Sequence, residues 1–598
     1  MKLVFDIETD DLDAKRIWCL VAQDIDTKQV YTYGPDQIEE GCDLLCSADE
    51  LIGHNIIGFD LPVLRNLTRF KTLGVGQKIV DTLVLSRLFD PVREAGHSLK
   101  VWGHKLGSGK IEFKDFSGGF SSEMLDYCIQ DVNLNMKVYY ALREESRGFS
   151  KESLEIEHAV SQILKEQETY GFLYDTMEAE LLLAELREVV AKTEAKVKRV
   201  FKPKVTKIKL YPRVTRQGNL SKMADSCSLA SGNGVRLTKA EHELMTLKLS
   251  KVAGNLDECD PVIRSRSKDF NLGSRQQVGE YLQDFGWKPT EFTAHGRPIV
   301  NEKTLASVKG IPEADLINAY LMYQKRVSQI TSWGDAVTDD GRVHGFVIPN
   351  GAITGRMTHR EPNMAQVPSS SSPYGNKCRA LWTVPEGKKL VGIDASGLEL
   401  RMLAHYMDDE DYTNEIINGD IHTANQNLAG LESRSQAKTF IYALLYGAGD
   451  EKLGSVAGGG RSTGARLRQS FFDNLPSFKT LKNRVGRAAE EGYIKGIDGR
   501  KLFVRSQHAA LNTLLQSAGA IIMKKALIIL NDKIKEKGLD AHFVANVHDE
   551  WQIETEEMSA DTVGNLGVGA IREAGIHFNL NCPLDGEYHV GDNWSETH

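Results

Sequence analysis

An apolar strand that ends in an acid runs through residues 390–396, Leu390-Val391-Gly392-Ile393-Asp394-Ala395-Ser396. A second stretch of this kind lies far downstream, Val544-Ala545-Asn546-Val547-His548-Asp549-Glu550. Its last three residues stand where a tight hairpin can turn. Asp394 and Asp549, brought together, would hold two divalent cations, because carboxylate oxygens are the ligands that such ions prefer. Each acid taken alone is equally consistent with an edge-strand position.

Between these strands, residues 434–447 place four large polar side chains at every fourth position, Arg434, Lys438, Tyr442 and Tyr446. On an α-helix, steps of four drift only about 40° around the axis, so the four side chains form one row. Two cations at a helix N-terminus oppose the helix dipole, which makes sense if they share an anion such as a phosphate. The tyrosines offer a ribose contact and a stacking face. A solvated helix face would explain the charges but not the aromatic residues that follow.

Four acids in the first part of the chain predict a separate metal site. Asp6 and Glu8 lie at the end of an apolar strand, where alternation puts both on one side, and Asp60 and Asp131 follow. Four acids without basic neighbours repel one another unless divalent cations occupy the site. Two ions about 4 Å apart can activate a water for phosphodiester hydrolysis. Tyr127 lies on the same helix face as Asp131.

Length, charge and periodicity limit the architecture. The chain of 598 residues is too long for one core and predicts two to four domains, without a membrane span. The net charge of −9 argues weakly against nucleic acid, but residues 202–251 carry a basic stripe. That stripe is equally consistent with a solvated tail and with a nucleic-acid or partner contact. The local patterns predict strands at 3–5 and 18–22, a helix at 122–142 capped by Ser122, a long helix across 151–200, a loop at 217–234 and helix across 264–335.

Taken together, these motifs resemble family A (Pol I-type) DNA polymerases. Residues 394–401 resemble motif A, residues 434–447 motif B, and His548-Asp549-Glu550 motif C. The front acids with Tyr127 are similar to the DEDD proofreading exonucleases. Within the family, the likeness is strongest to the replicative polymerases of T-seven-type short-tailed phages. The stretches that carry it include Phe270-Asn271, Ser274-Arg275, Ser372-Pro373-Tyr374-Gly375, Gly419-Asp420-Ile421-His422-Thr423 and Leu511-Asn512-Thr513-Leu514-Leu515-Gln516.

The resemblance implies a role for each matching residue. Asp394, Asp549 and the Ala395 carbonyl would hold two Mg²⁺ or Mn²⁺ ions, with Glu550 nearby. Asp6, Glu8, Asp60 and Asp131 would hold two more, and Tyr127 would orient the attacking water. Lys438 would contact the dNTP triphosphate and protonate the leaving pyrophosphate, while Arg434 and His422 bind its oxygens. The DNA contacts would come from Tyr446 near the template base, His548 at the primer-end phosphate, and Arg356 and Gln516 along the duplex.

Two further residues would select the sugar. By the same resemblance, Glu399 would close the space beneath the 2′ position, exclude ribonucleotides and hydrogen-bond Tyr442. A Tyr at 442 implies good acceptance of 3′-deoxy sugars, because its hydroxyl can replace the missing 3′-OH.

The implied fold is multidomain, α/β and α+β. We expect an RNase H-like 3′-5′ exonuclease at 1–150 and a helical thumb at 151–335 with a basic insertion at about 202–265. Palm and fingers would occupy 336–598, with the fingers at about 409–505. The partners would be primer–template DNA, dNTPs, a replicative helicase–primase and, at the insertion, host thioredoxin as processivity factor, although few residues match there. The resemblance places the protein in the cytoplasm of a bacterial host.

Two alternatives of other classes share parts of this pattern. A single-subunit RNA polymerase uses the same three motifs, but Glu399 and the intact front acids argue against it. A DNA-binding scaffold with an inactive polymerase body would be expected to lose Asp394, Asp549 or Lys438, and all three are present.

Overall fold

The computed structural model describes residues 1–70, 76–109, 113, 115–226 and 234–598. These residues form two compact units. The first comprises Met1–Glu178 together with Ser332–His598, and the second comprises Ala179–Thr331.

The first unit begins with a five-stranded sheet between helices. Its strands are β1 (Lys2–Thr9), β2 (Ile17–Asp24), β3 (Val30–Tyr33), β4 (Glu50–Gly53) and β5 (Lys78–Asp81). Its helices are α1 (Ile38–Cys46), α2 (Asp60–Leu67), α3 (Thr82–Phe89), α4 (Leu99–Lys105) and α5 (Ser122–Glu145). The strand order is β3-β2-β1-β4-β5, with β1 antiparallel to β2 and parallel to β4. Alternate residues of β1 enter two different apolar cores, Leu3 and Phe5 one and Val4 the other, so the sheet is covered on both faces.

Two helix predictions in this region need correction. Helix α5 is capped by Ser121, whose side chain accepts a hydrogen bond from the Met124 N–H, and not by Ser122. The long helix predicted across 151–200 is interrupted and becomes α6 (Lys151–Tyr170), β6 (Phe172–Tyr174) and α7 (Thr176–Val200). The interruption falls at Gly171, whose φ of 74° lies in the left-handed region that favours glycine.

The second unit contains a small antiparallel sheet followed by helices. Its elements are β7 (Lys204–Tyr211), β8 (Met223–Ser226), β9 (Val235–Arg236), α8 (Lys239–Lys251), β10 (Val262–Lys268), α9 (Arg275–Asp284), α10 (Glu302–Ala306) and α11 (Glu313–Gly334). The strand order is β10-β7-β8-β9, and Leu210, Met245 and Val262 share its apolar core. The basic segment is therefore a folded module.

Two predictions for this segment also change. The loop predicted at 217–234 contains β8, while its residues 227–233 lie outside the described residues. The helix predicted from 264 begins only at Arg275, because 264–268 pair with β7 as part of β10. Residues 264–268 are all polar and carry no apolar periodicity, so the pairing with β7 decides that they form a strand.

The C-terminal part of the first unit is built around a four-stranded antiparallel sheet. The elements up to its first strand are β11 (Arg342–Val343), β12 (Phe346–Ile348), β13 (Thr358–Arg360), α12 (Gly375–Ala380), β14 (Trp382–Thr383) and β15 (Lys388–Ala395). A helical region follows, with α13 (Leu398–Met407), α14 (Glu410–Asn418), α15 (Ile421–Ala429), α16 (Arg434–Leu445), α17 (Asp450–Val456), α18 (Arg461–Asn474), α19 (Pro476–Ala488), β16 (Tyr493–Lys495) and β17 (Lys501–Phe503). The chain ends with α20 (Ala510–Glu536), β18 (Ala541–Val547), β19 (Glu550–Glu556), α21 (Ala560–His577) and β20 (Gly586–Gly591).

The strand order β18-β19-β15-β20 places β15 in the interior of this sheet. Among the described residues, the segment Gln507–Glu536 is long and apolar enough to cross a membrane, which the sequence analysis did not predict. Within the fold, 72% of its apolar window is buried, as in the core helix of a globular domain.

Candidate active sites

The sheet brings the two downstream acids together. In the antiparallel pairing of β15 with β19, Asp394 lies opposite Glu550, and the Ala395 N–H donates to the Asp549 carbonyl at 3.1 Å. The turn between β18 and β19 is made by His548, whose φ is 59°. This geometry confirms the predicted hairpin and the predicted proximity of the acids at 394 and 549.

The pKa of Asp394 indicates that these acids repel one another when no cation lies between them. Burial, together with repulsion from Asp549 and Glu550, raises the pKa of Asp394 to about 7. A divalent cation between the acids would remove that repulsion, and the donors are hard oxygens of the type that Mg²⁺ and Mn²⁺ bind. The residues present therefore fit the implied metal pair, with Asp394 and Asp549 as its carboxylate ligands.

Glu550 is held inside the protein by groups that the sequence analysis missed. Its carboxylate accepts hydrogen bonds from Gln552 Nε2 at 2.6 Å and from Trp594 Nε1, and it lies 3.0 Å from His598 Nδ1. Burial acts to raise the pKa of Glu550, but the hydrogen bond from His598, the charge of Arg379 and the bond from Trp594 hold it below its usual value. Gln552 shares a face of β19 with Glu550, whereas Arg379, Trp594 and His598 are brought to it only by the fold.

A cleft of about 500 Å³ opens beside the two acids and is lined by the predicted DNA- and sugar-contacting residues Arg356, Glu399, Tyr442, Tyr446, Gln516 and His548. Within it, Glu399 accepts hydrogen bonds from Arg356 Nη2 at 3.0 Å and from the Tyr446 hydroxyl at 2.9 Å. The resemblance implied that Glu399 hydrogen-bonds the Tyr442 hydroxyl. In the structure its hydroxyl partner is Tyr446. Tyr446 lies one turn further along, at the C-terminal cap of α16, and its hydroxyl reaches the first turn of α13.

The cationic end of α16 carries one contact that the sequence did not predict. The carboxylate of Asp420 accepts a hydrogen bond from Arg434 Nε at 2.6 Å, and the triphosphate role of Arg434 stays a prediction. Burial and the charges of Arg434 and Lys438 lower the pKa of His422, so the three predicted triphosphate-binding groups lie close together. Within the described part of the chain, Lys438 is exposed and has no ion pair.

The front acids form a second buried cluster. Ligand atoms of Asp6, Glu8 and Cys128 lie within 4.8 Å of one another, at the end of β1 and on α5. Asp60 accepts a hydrogen bond from the Ile7 N–H at 3.2 Å. Burial, with a further contribution from the charge of Asp81, raises the pKa of Asp60 to about 7. The residues fit a divalent cation site, since several carboxylates share one buried location.

The other two predicted members of this cluster lie on α5. Asp131 is buried and stands one turn beyond Cys128, whose thiol donates to the Asp6 carbonyl at 3.6 Å. The Tyr127 ring packs against those of Phe113 and Phe116, with centroids 5.9 and 6.0 Å apart. Cys128 was missed as a member of the cluster, although its spacing of three residues from Asp131 places both on one helix face.

The chain matches known proteins along its whole length. A profile of DNA polymerase family A matches residues 243–596. The chain is 35% identical to the DNA-directed DNA polymerases of Enterobacteria phage T3 and Escherichia phage T7, with 100% of each chain covered. Its fold is similar to that of the POL domain of Pol1 from M. smegmatis, solved with DNA primer-template and dNTP, at a TM-score of 0.76 and 19% identity, covering 100% of this chain and 95% of that one.

The sheet, its paired acids and the family match together define the class of protein. The chain belongs to DNA polymerase family A. Its activity is DNA-directed DNA synthesis, and the relatives that match it over the full length include the T3 and T7 phage enzymes.

Proposed function

We propose that the chain copies a DNA template by two-metal phosphoryl transfer at Asp394 and Asp549, and removes mispaired primer ends at Asp6, Glu8, Asp60 and Asp131. The observation that carries this proposal is the pair formed by Asp394 on β15 and Asp549 in the neighbouring β18–β19 turn, where burial and repulsion raise the pKa of Asp394 to about 7. When bound there, two Mg²⁺ or Mn²⁺ ions would favour the deprotonated primer 3′-hydroxyl and stabilise the charge on the leaving pyrophosphate.

The protein's own groups would bind and orient the substrates. Lys438 would contact the triphosphate and donate a proton to the pyrophosphate, with Arg434 and His422 on its oxygens. Tyr446 and Arg356 hold the Glu399 carboxylate in the cleft, where it would exclude a ribose 2′-hydroxyl. His548 and Gln516 line the same cleft and would follow the primer and the duplex. Rotation of α16 toward the sheet on binding of the correct dNTP would complete the site.

The exonuclease proposal is supported by the front cluster and by its sheet. The strand order β3-β2-β1-β4-β5, in which β2 is antiparallel to both of its neighbours, is the arrangement we expect of an RNase H-like domain at 1–150. Tyr127 lies on α5 one turn before Asp131 and would orient the water that attacks the phosphodiester. The palm would then be formed by the β15 sheet and the fingers by α14–α19, within the predicted 409–505.

Two variants test both halves of the proposal. Asp549→Ala should abolish primer extension in Mg²⁺ and dNTPs yet still degrade the primer, while Asp6→Ala should do the reverse. The exposed acids Asp561 and Asp11 offer matched controls, since Asp561→Ala and Asp11→Ala should retain both activities. If Asp549→Ala still extends the primer, the assignment of the polymerase metal site is wrong. If Asp6→Ala still degrades it, the exonuclease assignment is wrong.

We further propose that the enzyme replicates a phage genome in the host cytoplasm, beside a helicase–primase. The folded basic insertion at about 202–265 would serve as the contact for a processivity factor, with host thioredoxin as the candidate. Thioredoxin should lengthen the DNA that the enzyme synthesises in one binding event on the template. Pulldown should recover thioredoxin with the wild-type chain but not with a variant that lacks residues 202–265. Unchanged product length on adding thioredoxin would exclude that partner.

A further inference from the structure

One carboxylate joins the N-termini of two neighbouring helices. Asp420 caps α15, where its Oδ1 accepts from the N–H groups of His422 at 3.1 Å and Thr423 at 3.4 Å. Its other oxygen accepts from the Thr423 hydroxyl at 2.9 Å and from Nε of Arg434, the first residue of α16, at 2.6 Å. A single side chain thus connects the backbone of His422 with the guanidinium of Arg434.

The Asp420 contact leaves the anion-binding part of Arg434 open. Of the Arg434 nitrogens, Asp420 accepts a hydrogen bond from Nε alone. Within the described residues, the two terminal nitrogens of Arg434 make no hydrogen bond. These are the nitrogens that can bind two phosphate oxygens side by side. The Arg434 side chain is 58% exposed, so without an anchor it would sample many rotamers in solvent.

We propose that Asp420 is a positioning residue for the dNTP triphosphate, which orients Arg434 and fixes it relative to His422. The inference rests on the proposed role of Arg434 and His422 at that triphosphate. An anchored guanidinium loses less freedom when the substrate binds, which strengthens binding without a new contact. The negative charge of Asp420 is offset by Arg434 and by the two N–H groups of α15, so the end of the helices remains attractive to an anion.

The alternative hypothesis is that Asp420 competes with the triphosphate for Arg434. The two hypotheses predict opposite changes in dNTP affinity. If Asp420 positions Arg434, removing its charge weakens dNTP binding; if it competes, removing its charge strengthens dNTP binding.

The test uses Asp420→Asn in the full chain, because Asn caps a helix as well as Asp but lacks the charge. We expect the KM for dNTP to rise roughly 3–5-fold with little change in kcat, which is the upper end of what the loss of one exposed ion pair allows. Asp409→Asn is the matched control. Asp409 caps the preceding helix α14 through the Tyr412 N–H and contacts Ser477, and its variant should keep the wild-type KM.

Repeating the Asp420→Asn substitution in the Arg434→Ala variant separates positioning of Arg434 from a general structural effect of the substitution. In Arg434→Ala, which should itself raise the KM, the added Asp420→Asn should change KM less than about twofold, because the side chain it positions is gone. An equal rise in both backgrounds, an unchanged KM for Asp420→Asn alone, or a lowered KM would each overturn the inference. If Arg434→Ala alone leaves the KM unchanged, the proposed triphosphate role of Arg434 fails instead, and the inference fails with it.

Discussion

Replacing Glu157 should strongly destabilise the first unit. One oxygen of this fully buried carboxylate accepts from Arg500 Nη1 at 2.6 Å and from Lys524 Nζ at 2.5 Å. Arg500 also pairs with Asp498 at 2.7 Å, so two cations and two anions balance inside the protein. Glu157→Gln keeps the shape of the side chain but leaves one positive charge unbalanced.

The magnitude follows from burial. Removing one partner of a buried ion pair costs about 3–5 kcal/mol, because the remaining charge loses its compensation and stays out of water. Lys524→Met leaves Glu157 and Asp498 with Arg500 as their one cation, so a buried anion is unbalanced and the cost should again be about 3–5 kcal/mol. At ~2 °C per kcal/mol for a large domain, Glu157→Gln should lower the thermal midpoint by about 6–10 °C.

Thermal melts followed by far-UV circular dichroism would measure these shifts. The double variant Glu157→Gln/Lys524→Met should be more stable than Glu157→Gln alone, because it removes the unbalanced ammonium. A Glu157→Gln melt within about 1 °C of wild type, or a double variant less stable than Glu157→Gln, would refute the reasoning.

Three further predictions concern the cleft and its surroundings. Glu399→Ala should raise the ratio of kcat/KM for a ribonucleotide to kcat/KM for the matching dNTP at least roughly tenfold. The reason is that a carboxylate fixed by Arg356 and Tyr446 no longer fills the space below the sugar. Tyr442→Phe should reduce the use of dideoxynucleotides roughly 10–100-fold, as expected for the loss of one hydrogen bond to a charged group; unchanged competition between ddNTP and dNTP would contradict this. Burial lowers the pKa of Lys524 to about 8 from an ordinary 10.5, so the unfolded chain binds more protons between these values. The thermal midpoint of wild type should therefore rise relative to that of Lys524→Met from pH 8 to pH 10, and parallel pH profiles would refute this assignment.

The two sets of acids were predictable because each depends on short-range periodicity. Asp6 and Glu8 alternate on β1, Asp394 lies near the end of β15, and Asp549 follows β18, so residue spacing alone relates each of them to an apolar strand. The row of Arg434, Lys438, Tyr442 and Tyr446 follows from the helical repeat in the same way.

Element boundaries were less predictable where two patterns compete. Residues 264–268 carry charges that a helix accepts as readily as a strand, and pairing with β7 decided the matter. The left-handed Gly171 divides what reads as one amphipathic run into α6 and α7. A local pattern cannot report such a choice, because the free energy that decides it comes from partners distant in sequence.

By itself, the sequence determined which residues are the candidates for the chemistry and on which face of a helix or strand each one stands. The tertiary structure alone decided which of them touch. In the folded protein, Glu399 accepts a hydrogen bond from Tyr446 instead of Tyr442, and Asp420 accepts one from Arg434. Glu157 forms ion pairs with Arg500 and Lys524. The physical reason is that periodicity is a property of one element, whereas a hydrogen bond or ion pair depends on the packing that sets the separation and rotation of two.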